Sequence, residues 1–174
     1  RAGVLTAFMR RVRQLLDQAG QEGDRRLQIS AHVMNNEWQN AFYGLDLATW
    51  VAEGLVDTLI PYPWRNEEID LEYFAHLTRG RACLLCPDVM PRRMSPEAYR
   101  QRALAYYAAG ADGLAFWDTE VRHLMRAEWS MIQRLGHKDE LGGWDDGASY
   151  YYRTLKLRTL GGYVLDKYPP LWAY

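Results

Sequence analysis

The chain of 174 residues has two cysteines, no long apolar run and no excess of either charge, and each shortage closes off a class of protein. Two cysteines cannot build the disulfide framework of a small secreted domain, nor a four-thiolate zinc site. Cys83-Leu-Leu-Cys86 has the spacing of a redox or zinc pair, but it lies inside the apolar run Ala82–Cys86 and reads as two buried thiols. No stretch approaches the roughly 20 apolar residues that span a bilayer, so a soluble chain is expected. Its first residue is Arg1, and a signal segment upstream would make it a secreted one. Lys plus Arg number 21 against 22 for Asp plus Glu, which removes any general attraction to nucleic acid or an anionic membrane. The local cluster Arg10, Arg11 and Arg13 reads as the solvated face of a helix. There is no His-Glu-x-x-His pair, P-loop or dinucleotide fingerprint, and no ligand spacing that fixes a metal. Neither a metal nor an organic cofactor is expected.

What is present is an alternation. Four short apolar runs, Leu27–Val33, Thr58–Pro61, Ala82–Cys86 and Gly113–Trp117, are each followed by an amphipathic stretch. Before the first, Val4, Phe8, Val12, Leu15, Leu16 and Ala19 recur at helical spacing over residues 4–19, with Gly20 as a stop. After the runs, Asp46 is placed to cap a short helix. Asn66 or Glu67 opens another that carries Ile69, Tyr73, Phe74 and Leu77, and Ser95-Pro96-Glu97 starts a third. Helices through Leu124–Leu135 and over Tyr150–Leu160 complete the expectation. The order α-βα-βα-βα-βα predicts a parallel sheet with right-handed crossovers. A complete (β/α)₈ barrel takes about 250 residues, so four βα units preceded by a helix read as the second half of a TIM barrel, within the α/β class. An open doubly wound sheet is the alternative. Residues 1–141 form the half-barrel in this reading, and residues 142–174 an aromatic-rich C-terminal extension.

Leu5-Thr-Ala-Phe-Met-Arg-Arg-Val-Arg, Gly44-Leu-Asp-Leu-Ala-Thr-Trp-Val-Ala-Glu-Gly-Leu-Val-Asp, Met94-Ser-Pro-Glu-Ala-Tyr and Tyr107-Ala-Ala-Gly-Ala-Asp-Gly-Leu resemble the C-terminal half of the glycosyl-hydrolase-like barrels labelled "family ten". The resemblance covers most of residues 4–136. It implies a (β/α)₈ fold and a carbohydrate substrate, and it makes the four strands the fifth to eighth of the barrel. Half of a closed sheet leaves two strand edges and an interior face of Ile29, Ile60, Leu84 and Phe116, or their alternating neighbours, to be covered. A missing N-terminal half-barrel or a second copy of the chain is the expected partner.

In parallel α/β folds the carboxyl ends of the strands carry the site, and glycosidases need two carboxyl groups there. Asn35-Asn36-Glu37 is similar to the acid/base position of a large clan of retaining glycosidases. That clan places the pair after its fourth strand, however, and here the strand is the fifth by count. Asp88 ends the seventh strand, where the clan's nucleophile is usually Glu; a loop cap is its ordinary role. Glu37 and Asp88 are therefore the candidate catalytic pair, for a glycoside hydrolase acting on a poly- or oligosaccharide. His32, Asn36, Trp38, Tyr62, Trp64, Trp117 and Asp118 are candidate substrate-binding residues, since aromatics stack on the C–H faces of sugars and polar groups grip hydroxyls. Plainer readings stand beside two of these, His32 as an interior histidine and Asp118 as a helix cap, and beside two neighbours left out of the set, Glu120 as a carboxylate in a first helical turn and Arg65 as a sugar-binding cation or the ion-pair partner of Glu67 or Glu68. A non-catalytic carbohydrate-binding or scaffold barrel is the rival function. A phosphorylated substrate is disfavoured, because carboxylates stand where Gly-rich phosphate loops would be.

Overall fold

A computed structural model describes residues 1–63, 67–89, 96–116 and 134–141. The chain divides into two compact units, one of Arg1–Met90 with Tyr106–Ala115 and one of Pro91–Ala105 with Phe116–Tyr174. The described elements run α1 (Ala2–Glu22), β1 (Ser30–Val33), α2 (Glu37–Tyr43), α3 (Leu47–Ala52), β2 (Thr58–Pro61), α4 (Leu71–Thr78), β3 (Leu84–Leu85), α5 (Pro96–Ala108) and α6 (Lys138–Leu141). This is a mixed α/β protein with a small parallel sheet. Among the described residues no helix is long and apolar enough to cross a membrane.

The sheet has the order β1-β2-β3, all parallel, with Ser30, Thr58 and Leu84 in one row and Ala31, Leu59 and Leu85 in the next. The ladder continues past β3. The Cys86 N–H donates to Leu59 O at 3.0 Å and the Asp88 N–H to Pro61 O at 3.0 Å, and Asp88 forms a parallel bridge with Ala115. The expected fourth strand thus contributes one bridge, at Ala115, on the far side of β3, while Trp117 lies outside the described residues. Strand β2 matches its apolar run, while two others are shorter than theirs: β1 begins at Ser30 rather than Leu27, and β3 is two residues rather than five.

Side chains alternate across a strand, so this register sorts the sheet into two faces. Val33, Leu59, Cys83, Leu85 and Val89 share one face and are buried. Ser30, His32, Thr58, Ile60 and Leu84 share the other; none of these is buried, and Leu84 is 50% exposed. The uninterrupted apolar run Ala82–Cys86 is thus covered on one face only at Leu84 and Leu85.

Helices α1, α2 and α4 depart from expectation for local reasons, and α3 and α5 start where expected. Helix α1 runs through Gly20 to Glu22. Gly20 does not end it; the returning chain passes so close that a Cβ there would meet the carbonyl oxygen of Arg25. The buried positions of α1 are Thr6, Arg13 and Gly20, seven residues apart, whereas Val4, Phe8 and Leu15 of the predicted apolar face are exposed. Arg13 is therefore no part of a solvated basic face. Its guanidinium bonds Asp57 Oδ2 at 3.1 Å, Leu27 O at 2.7 Å and Asp17 Oδ1 at 2.6 Å. Helix α2 occupies a stretch for which no helix was predicted, between β1 and the Asp46 cap. Helix α4 starts at Leu71 because Asp70, not Asn66 or Glu67, caps it, accepting the Tyr73 N–H at 3.1 Å. Helix α3 is capped by Asp46 as its sequence predicts, with the Thr49 N–H donating to Oδ1 at 3.1 Å. Pro96 stands first in α5, also as expected, although the Ser95 cap lies outside the described residues. The helices expected over Tyr150–Leu160 and through most of Leu124–Leu135 lie outside them too.

Two connections are built alike. Gly54 and Gly110 adopt left-handed φ of 64° and 104°, and the next N–H, of Leu55 or Ala111, reaches back to Trp50 O at 2.8 Å or Tyr106 O at 3.0 Å. An aspartate follows. Asp57 accepts the Ile29 N–H at 2.7 Å while its own N–H donates to Ile29 O at 2.8 Å. Asp112 does the same with Leu85, at 2.9 Å and 2.8 Å. Each aspartate therefore locks the amino end of an incoming strand onto the strand beside it.

Candidate active site

The sheet register brings three of the candidate residues to one face. His32 lies beside Ile60, and the ladder continued by Asp88 places Tyr62 and Asp88 in the next row toward the carboxyl end, on the same side. Asp88 is fully buried and His32 exposed, and Tyr62 is half-buried. The Tyr62 N–H donates to Val33 O at 2.9 Å, so the backbone between the β1 and β2 ends is still paired where these side chains leave it. A check on the register comes from Gly113, where a Cβ would sit 3.1 Å from Cys86 Sγ, as same-face neighbours should.

Beyond β1 the chain makes a polar elbow. Asn36 caps α2, its Oδ1 accepting the Gln39 N–H at 2.9 Å, and Glu37 is the exposed first residue of the helix. Asn40, fully buried, clamps the elbow: Oδ1 accepts from Met34 N at 3.0 Å, and Nδ2 donates to Met34 O at 3.1 Å and Asn36 O at 2.7 Å. Asn35, equally buried, donates from Nδ2 to Glu67 Oε2 at 3.1 Å and to Glu68 O at 3.2 Å, and its carbonyl accepts the Asp70 N–H at 2.9 Å. Gln39 Nε2 adds a second donor to Glu67 Oε2 at 2.8 Å.

Glu67 is thus a carboxylate oriented by two amides at the carboxyl end of β1, and it was not among the candidates. The donors, Asn35 and Gln39, stand on either side of Glu37 in the sequence, and nothing in their spacing points to an acid some thirty residues on. Tyr73, half-buried on α4, has its hydroxyl pKa raised by burial, with the charges of Glu37, Asp46 and Asp70 adding to the shift. Among the described residues no group of three or more His, Cys, Asp or Glu side chains is placed to hold a metal ion.

Trp38 is 70% exposed, next to Glu37, and its ring stacks on Phe42 with centroids 5.5 Å apart and planes 22° from parallel. Cys83 and Cys86 are free thiols flanking β3; three residues apart on an extended chain, they face opposite sides of the sheet. Burial pushes Cys83 up to about 11 and raises Cys86 as well, which makes both poor nucleophiles. Trp64, Trp117 and Asp118, the remaining candidates, lie outside the described residues, as do Arg65 and Glu120. No family model matches the chain, and no curated protein is significantly similar to it.

Proposed function

We propose that the chain is the second half of a (β/α)₈ barrel that hydrolyses glycosidic bonds in a poly- or oligosaccharide, with Glu37 as acid/base and Asp88 as nucleophile. The observation that carries this is the two-faced sheet. Its buried face holds Val33, Leu59 and Leu85, while the opposite face exposes His32 and Leu84 and sets His32, Tyr62 and Asp88 toward the carboxyl end. A doubly wound sheet covers both faces with helices; a barrel turns one face inward. The glycosyl-hydrolase-like resemblance supplies the carbohydrate class. In the reaction, Glu37 protonates the leaving oxygen as Asp88 attacks the anomeric carbon, and water activated by Glu37 then releases the sugar. His32, Asn36, Trp38, Tyr62, Trp64, Trp117 and Asp118 hold the substrate.

Closure of the barrel requires four more βα units, from another half-barrel or a second copy of the chain. They would cover the exposed Val4, Phe8 and Leu15 stripe of α1 and extend the sheet beyond β1.

The rival reading, a carbohydrate-binding barrel without turnover, is favoured by one observation: Glu37 occupies the first turn of α2 beside the Asn36 cap, where the helix dipole alone accounts for a carboxylate. Release of reducing ends from polysaccharides by the wild type, Glu37→Gln and Asp88→Asn decides between them. Hydrolysis falling at least about 100-fold in each variant is expected. Wild-type rates in both would refute the catalytic pair, and binding with no wild-type turnover would leave the rival.

A further inference from the structure

The exposed face of α2 is aromatic in a way that neither packing nor the carboxylate pair explains. Trp38, Phe42 and Tyr43 are 70%, 59% and 55% exposed. Phe42 backs the indole in a near-parallel stack and meets Tyr43 edge-on at 5.2 Å, so the rings brace one another and the outer indole face is left to solvent. The helix beneath them is rigidly held. Asn36 caps its start, buried Asn40 ties it to Met34, and left-handed Gly44 closes its end, with the Leu45 N–H on Asn40 O at 2.8 Å. Pre-organising a flat aromatic surface lowers the ordering cost of whatever it binds.

We propose that Trp38, braced by Phe42 and flanked by Tyr43, is a stacking platform for a β-linked pyranose polymer, extending the substrate track outward from the β1 rim. This rests on the carbohydrate reading above. The occupant follows from the chemistry of the patch. It presents three exposed planar rings, with the exposed Glu37 carboxylate one residue from the indole to accept hydroxyls. A pyranose with equatorial substituents has a flat C–H face for the ring and hydroxyls at its edge for the acid, and β-linkage keeps successive sugars extended.

Affinity electrophoresis in gels containing mixed-linkage β-glucan, β-xylan or dextran tests the proposal on the full chain. The wild type is expected to be retarded by at least one β-linked polymer and not by dextran. Trp38→Leu, which keeps apolar area and removes the flat face, should weaken that retardation at least about fivefold, and Trp38→Phe should restore part of it. Asp88→Asn, which leaves the patch intact, reports separately by loss of turnover. Full retardation of Trp38→Leu alongside an inactive Asp88→Asn would overturn the platform and spare the hydrolase reading. Equal retardation by dextran would overturn the β-linked assignment, and no retardation by any polymer would overturn the platform outright. A fall in native mass for Trp38→Leu with sugar binding unchanged would assign the patch to protein contact and overturn it too.

Discussion

Asp57→Ala should be among the most damaging single substitutions in the first unit, because one carboxylate serves three partners. Oδ2 accepts from the Ile29 N–H at 2.7 Å and from Arg13 Nη1 at 3.1 Å, and Oδ1 accepts from Arg26 Nε and Nη2 at 3.1 and 2.9 Å. Truncation leaves the Ile29 N–H without its acceptor, a loss of about 1–3 kcal/mol. It also breaks a pair whose side chains are only 7% and 11% exposed. Breaking a buried pair costs about 3–5 kcal/mol in full, but Arg13 retains Asp17 and Leu27 O, so the lower part of that range applies. Arg26 is more than half exposed and adds little. The combined loss is about 3–4 kcal/mol, since the two contributions share one acceptor atom and do not add fully. Asp57→Asn, which keeps an acceptor for Ile29 and removes the charge, should lose roughly half of that. Urea unfolding followed by far-ultraviolet circular dichroism measures both, with the solvent-exposed Glu53→Ala as reference for a pair on the surface. A loss below about 1 kcal/mol for Asp57→Ala, or one no larger than that of Glu53→Ala, would refute the assignment of Asp57 as the tie between α1, β1 and β2.

Two glycines of α1 should respond oppositely to the same change. Gly3 has open space where a Cβ would go, so Gly3→Ala gains helix propensity and raises stability by up to about 1 kcal/mol; Gly20→Ala places a Cβ against the Arg25 carbonyl and lowers stability by about 1–3 kcal/mol in the same urea titration. Native-state alkylation should leave Cys83 unmodified at neutral pH. Its pKa is raised from 9.0 to about 11, so its contribution to stability is fully present below about 9 and is lost as pH climbs through about 11. Cys83→Ala should flatten that alkaline decline, and an unchanged slope would show that another group sets it; Tyr73 and Tyr107, whose pKa values are also raised by burial, shift in the same direction.

The strands were legible where apolar character and β geometry coincide. Thr58–Pro61 was placed to the residue, because Leu59 and Pro61 on one face are buried and their row partners Ala31, Leu85 and Val33 are apolar. Leu27 and Gln28 failed to join β1 because the pairing begins only where Asp57 grips Ile29. Helix α2 was missed for a physical reason: its i, i+4 pair of Trp38 and Phe42 points to solvent while its buried position is the polar Asn40, the inverse of the pattern that announces a helix. The same inversion hid Arg13, which a charge count assigns to water and a network of three acceptors draws inward. At the site, proximity along the chain pointed to Glu37, and only the fold shows Asn35 and Gln39 reaching across to Glu67.

The aspartates that tie the strands and the candidate site residues occupy opposite ends of this sheet. The glycine–aspartate connections that end in Asp57 and Asp112 set the register from the amino ends of β2 and of the Ala115 segment, using backbone N–H groups of Ile29 and Leu85 that any residue but proline would supply. Register fixed there needs no help from the other end. The carboxyl ends are consequently free to carry side chains chosen for something other than packing, and they do: an exposed histidine in β1, a buried aspartate beyond β3, and an elbow of three consecutive polar residues that opens a helix with its aromatics outward. Proteins under selection for packing alone place aliphatic residues at such ends. The concentration of amides, carboxylates and exposed rings at one edge, against strand-tying aspartates at the other, is the asymmetry on which the proposed site at the β1 and β3 carboxyl rim rests.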